Sequence, residues 1–376
     1  MKRISTYREP LMGIAILWIV LFHAEVTFPS WLLPLTWLKE AGYGGVDIFL
    51  LLSGLGLHFS LAKDDRLPRY YKNRFTRILP TYWTVIGLAT AMEFVLLHRH
   101  SSLLSLFYVF STLGFWLNAT KFDWYIPSIL VLYAVFPLYF YIFRRSRHKA
   151  WVTGSVTGIG ILLSLAITWS PLNYLLIFTT RIPIFFIGAH IGYLIREGKA
   201  EGLPAKERQE TGSPVGGREA QEFPARHRES RELPPLFKGL ILAMGVAWLA
   251  YSFGTYTEAE LWKTGLWWYP FILITPFLCE GIAKSFKWSS GFALSHGLSK
   301  CLHFCGKYSL EIYLVHTLVF GLHKETARYF AFDRSGICAY TIYFLVSLPL
   351  AFILHQAVGY LTQWLFTRKN AVTPHV

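Results

Sequence analysis

Four ionisable side chains from four apolar stretches of this 376-residue chain fall, by helical rise, in the outer half of a membrane and could do chemistry there: His23, Asp47, Arg181 and His316. Ionisable groups within a membrane are costly and therefore count as functional candidates. A histidine with a carboxylate beside it supplies a general base and its orienting partner, the arrangement that activates a hydroxyl. His23 and Asp47 are the expected pair. Arg181, Tyr313 and His316, with Trp124 and Tyr125, are candidates for holding an acceptor or a developing oxyanion. Each also has a plain reading. A buried histidine can simply bond to a backbone carbonyl, Asp47 can cap a helix, and Arg181 can snorkel as an anchor.

A second cluster is basic. The stretch Arg69-Tyr-Tyr-Lys72-Asn-Arg74-Phe-Thr-Arg77 sets four cations before Ile78-Leu79-Pro80. Arg74 and Arg77 are three apart and share a face if the stretch is helical. Two guanidiniums so placed can clamp a pyrophosphate, or can be ordinary cytoplasmic-face charge near anionic lipid.

The elements that must position these residues follow from composition. Apolar residues make up 53% of the chain and charged residues 15%, with 30 Phe, 21 Tyr and 14 Trp. That charge deficit excludes an ordinary soluble enzyme and a disordered scaffold. Ten stretches are long enough to span a bilayer: 11–28, 45–62, 78–97, 124–143, 151–169, 173–195, 237–254, 265–283, 303–323 and 338–365. The expected fold is therefore an all-α, polytopic helical bundle of about ten transmembrane helices.

With both termini cytoplasmic, the inner segments collect 26 Lys and Arg and the outer segments 7. This satisfies the positive-inside rule and explains the net charge of +14 without nucleic acid. Treating 103–118 as a further span would reverse every later loop, so it is expected to be interfacial or re-entrant. The segment 196–236, rich in Glu, Arg, Pro and Gly, reads as a flexible cytoplasmic loop. Cys301 and Cys305 lack a histidine at ligand spacing, and no metal site is expected.

In this order, the motifs resemble those of the bacterial integral-membrane acyltransferase family 3. They are Gly13 to His23, Gly45-Val-Asp47 to Ser53-Gly54, Arg74-Phe-Thr-Arg77 with Pro80 and Tyr82, Trp124-Tyr125-Ile-Pro127, Arg181-Ile-Pro183, and Ser309-Leu-Glu-Ile-Tyr313-Leu-Val-His316. The resemblance covers about 5–365, leaving 366–376 as a cytoplasmic tail.

The resemblance implies a multi-pass protein of a bacterial inner membrane. It implies O-acylation of a cell-surface or exopolysaccharide sugar, free or lipid-linked, from cytoplasmic acyl-CoA. Acetyl is the expected group, because it is the commonest donor in the family, and no bound cofactor is implied. The donor is expected at Arg74, Arg77 and Tyr82. Where the family usually carries Arg or Lys, eleven residues before the histidine, this chain has Met12; Arg8, one turn earlier, is the expected substitute. The family's fourth-span Glu is Ile129 here. The alternative classes are a transporter or flippase of lipid-linked sugars, and a receptor or scaffold.

Overall fold

A computed structural model describes residues 2–24, 28–98, 101–119, 124–200, 234–259, 267–289, 293–326 and 337–371, and among them there is no β-strand. The expected loop 196–236 lies mostly outside the described residues, as do residues 372–376 of the tail.

The chain opens with α1 (Lys2–Thr6) and α2 (Arg8–His23), followed by α3 (Leu33–Glu40), α4 (Gly44–Lys63) and α5 (Leu67–Leu97). Two short helices come next, α6 (Leu103–Phe110) and α7 (Gly114–Asn118). Then follow α8 (Tyr125–Arg145), α9 (Lys149–Ile167), α10 (Leu176–Thr179) and α11 (Ile182–Ala200). The last group is α12 (Pro235–Ala259), α13 (Pro270–Ser289), α14 (Ala293–Lys307), α15 (Ser309–Thr326) and α16 (Ile337–Ala371). Helices dominate because only they satisfy every backbone group within one segment when no water is at hand.

Seven helical stretches among the described residues are long and apolar enough to cross a membrane. They include seven of the ten expected spans. The other three fall on α2, with 16 residues, on α13, and on the α14–α15 region. The protein is a polytopic helical membrane bundle. Its centre and rim differ sharply. The window containing α4 is 78% buried, whereas the one in α12 is 11% buried. Helix α4 is thus the central post, and α12 presents most of its surface outward.

Three local features depart from continuous spans. Residues 103–118 form α6 and α7 rather than one crossing helix, and Tyr82 and Trp83 of α5 hold them by donating to the carbonyls of Val109 and Phe110 at 2.8 and 2.9 Å. The expected span 173–195 is interrupted at Thr180 and Arg181, between α10 and α11. The expected span 303–323 is broken at Tyr308, where amphipathic α14 hands over to α15. Both breaks put polar side chains at helix ends, inside the bundle.

Glycines set how closely the central helices approach. In α2 and α14, Gly13 lies against the carbonyl of Leu302, and Gly306 against that of Glu9. In α4 and α11, Gly54 lies against the carbonyl of Phe185, and Gly188 against that of Leu51. A methyl group at any of these positions would overlap a carbonyl oxygen. Such small-residue crossings are how membrane helices gain packing without a hydrophobic drive between them.

Candidate active site

A cavity of about 320 Å³ runs between α2, α4, α5, α8 and α15. At one end it is lined by three arginines, Arg8, Arg74 and Arg77. Arg8 begins α2, and its guanidinium lies 3.4 Å from where a side chain on Gly56 would start, so that glycine leaves its room. Arg74 donates to the Ser60 hydroxyl at 2.8 Å and lies 5.9 Å from the Tyr70 ring centre. The structure thus brings Arg8 to the same cavity as the Arg74/Arg77 pair, with Met12 beside it in the wall.

The remaining cations of this region have other partners. Arg66 and Arg69 both bond to Asp64 in the α4–α5 turn, at 2.8 to 2.9 Å. Bonding from Arg66 above all, with Arg69 adding to it, holds the Asp64 carboxyl well below the usual carboxylate range. Arg74, half-buried, and Arg77, more exposed, are the members of the basic stretch that line the cavity. Tyr82 does not join them. It is fully buried and donates to Val109, so its observed bond supports α6 rather than a donor.

Toward the other end the walls become apolar and aromatic: Ile19, Val46, Phe49, Tyr125, Ile129 and Tyr313. The Tyr125 and Tyr313 rings are 5.2 Å apart. Tyr313 in turn stands 5.6 Å from His316, whose ring is 5.3 Å from that of His23. Helix α2 therefore carries Arg8 at its start and His23 at its end, separated by about 22 Å of helical rise.

The two histidines are held alike. His23 Nδ1 lies 2.9 Å from the Ile19 carbonyl, and His316 Nδ1 lies 3.0 Å from the Ile312 carbonyl. A carbonyl only accepts, so each Nδ1 carries the proton and each neutral ring keeps its lone pair on Nε2. His316 is buried, and its Nε2 has no hydrogen-bond partner. In this tautomer His316 accepts a proton and cannot donate to an oxyanion.

Asp47 differs from expectation. Neither carboxylate oxygen has a hydrogen-bond partner, so it does not orient His23 through a hydrogen bond; Ile19 fixes that ring. Instead Asp47, in the first turn of α4, faces Arg181 across 3.9 Å between Oδ2 and Nε, with both side chains buried. Arg181 donates to the Ile177 carbonyl at 2.8 Å and lies between the rings of Trp124 and Trp268, at 5.0 and 4.4 Å. The aromatic faces favour the cation in this dry setting.

Sequence reasoning missed Trp268 and Ser60. The first sits in an aromatic run, Trp267-Trp268-Tyr269-Pro270, which by itself reads only as an interfacial belt.

An arginine-lined end, an aromatic throat and a histidine pair thus follow one another through the bundle. The chain matches the acyltransferase domain of acyltransferase family 3 over residues 11–356, and it belongs to that family. It is a multi-pass membrane acyltransferase. No curated protein and no solved structure matches it.

Proposed function

We propose that the protein moves an acyl group, acetyl by expectation, from cytoplasmic acyl-CoA to a hydroxyl of a cell-envelope sugar, as a bacterial inner-membrane enzyme. The observation that carries this reading is the single cavity with Arg8, Arg74 and Arg77 at one end and Tyr313, beside His316, at the other. Three guanidiniums match the phosphates of CoA. The apolar throat suits the pantetheine arm, which would carry the thioester toward the histidines.

His23 then takes the proton of the acceptor hydroxyl on Nε2 while the oxygen attacks the thioester carbonyl. The C–S bond breaks as the tetrahedral intermediate collapses, and the imidazolium returns its proton to the CoA thiolate. A variant forms an acyl-imidazole first and passes the group on from there. Tyr313 is the candidate for stabilising the oxyanion. His316, presenting a lone pair, supports a second proton-accepting role.

The test is incubation of purified protein in lipid nanodiscs with radiolabelled acetyl-CoA and a cell-envelope glycan extract. CoA release and label transfer that both require His23 are expected. Movement of glycan across the membrane with no CoA chemistry would sink this reading in favour of a flippase.

A further inference from the structure

Asp47 and Arg181 are buried to within 1% and 2% of full exclusion, yet they approach only to 3.9 Å. Neither oxygen of Asp47, nor Nε of Arg181, has a hydrogen-bond partner. The Tyr43 hydroxyl nearby is already committed, donating to the Trp267 carbonyl at 2.8 Å. The guanidinium is held in place by the Ile177 carbonyl and the two tryptophan rings. Asp47 is fixed in the first turn of α4.

A completed charge-assisted bond would close to about 2.7–2.9 Å. A buried carboxylate and guanidinium left short of that distance lack a partner that both donates and accepts. The carboxylate needs a donor and Nε–H needs an acceptor. An alcohol hydroxyl is both at once, whereas a phosphate only accepts and an ammonium only donates. Two atoms 3.9 Å apart are at a separation that lets one hydroxyl oxygen bond to each at about 2.8 Å. The site neighbours the reaction centre: Arg181 lies 5.0 Å from the Trp124 ring, and ring contacts run on from there through Tyr125 and Tyr313 to His316.

We infer that Asp47 and Arg181 form a hydroxyl-binding subsite that grips an acceptor hydroxyl next to the one acylated. The acceptor is then a polyol such as a sugar ring, not a simple mono-alcohol or an amine. Asp47 positions the acceptor rather than His23. This inference rests on the acyl-transfer reading above.

The probe is methyl α-D-glucopyranoside, with the full chain in lipid nanodiscs and binding followed by intrinsic fluorescence, to which Trp124 and Trp268 contribute. Saturable binding by the parent is expected. Asp47→Asn and Arg181→Gln should each weaken it at least tenfold, and 1-propanol at equal concentration should not compete. In glucoside acetylation, the loss should fall mainly on KM rather than kcat.

Because one partner alone is left buried and charged, the double variant Asp47→Asn/Arg181→Gln serves as the folding control, and it too should lose the glucoside. Parental affinity in the double variant, equal competition by 1-propanol, or no saturable binding by the parent (the pair then holding water only) would each overturn the subsite. Absence of any acetyl-CoA turnover by the parent would instead remove the acyl-transfer reading. Turnover that persists while the glucoside arms fail removes only this inference.

Discussion

His23 and His316 stand 5.3 Å apart, ring centre to ring centre, and each ties its Nδ1 to the carbonyl four residues earlier in its own helix. The end of α2 and the middle of α15 thus bring two imidazoles side by side, each tied at Nδ1 by the same local device. His23→Gln should abolish label transfer while CoA still binds, since the arginines lie at the other end of α2. His316→Gln should lower transfer by roughly 10²-fold or more, the scale of a lost proton-transfer group. Isothermal titration with CoA beside a turnover assay checks both. Near-parental turnover in His23→Gln would remove it from the mechanism.

Both rings must be neutral to accept a proton, so the transfer rate should fall as the medium is acidified and the imidazoles gain protons. A rate profile in buffers of matched ionic strength reads this directly. A rate that stays flat from pH 8 to pH 5 counts against histidine base catalysis.

The arginine end makes a graded prediction. Removing one charge-assisted phosphate contact costs about 1.5–3 kcal/mol, so Arg8→Ala, Arg74→Ala and Arg77→Ala should each weaken CoA binding by roughly 10- to 150-fold. Ser60→Ala, which removes only the hydroxyl that steadies Arg74, should cost about 0.5–1.5 kcal/mol. Arg69→Ala should leave CoA affinity alone, because Arg69 is bound to Asp64. Titration of purified variants with CoA ranks them. An Arg8→Ala protein with parental affinity would return Arg8 to an anchoring role.

The crossing helices and the basic stretch were legible in the sequence, because apolar length and charge segregation are local properties. The breaks were less so, although signals existed. Pro183, second in α11, marks a helix start, and Gly306-Lys307-Tyr308-Ser309 carries the marks of one helix ending and another beginning. The pairing of Asp47 with Arg181 lies beyond such reasoning, since 134 positions separate them and only packing of α4 against α11 joins them. That the His23 ring is tied to Ile19 and not to Asp47 is likewise a matter of packing. Depth in the membrane is readable from helical rise, but rotation about the helix axis is not.

The packing of the central helices gives the last prediction. Gly54 and Gly188 face each other's helix across the α4–α11 contact, and a Cβ on either would overlap a backbone carbonyl, of Phe185 or Leu51. A backbone oxygen cannot swing aside as a side chain can, so the helices must separate. Overpacking of this kind costs about 1–3 kcal/mol or more. The consequence is also functional, because α4 carries Asp47 and Arg181 immediately precedes α11. Gly54→Val and Gly188→Val should therefore lower the unfolding temperature in detergent and reduce turnover together. Gly87→Ala and Gly154→Ala, where an added Cβ would meet nothing within 4 Å beyond its own stretch of helix, are the controls. They should keep parental turnover and match or slightly exceed parental stability, because alanine is favoured over glycine by about 0.5–1 kcal/mol within a helix. A Gly188→Val protein as stable as the parent would mean that the close crossing is not what holds the two helices together.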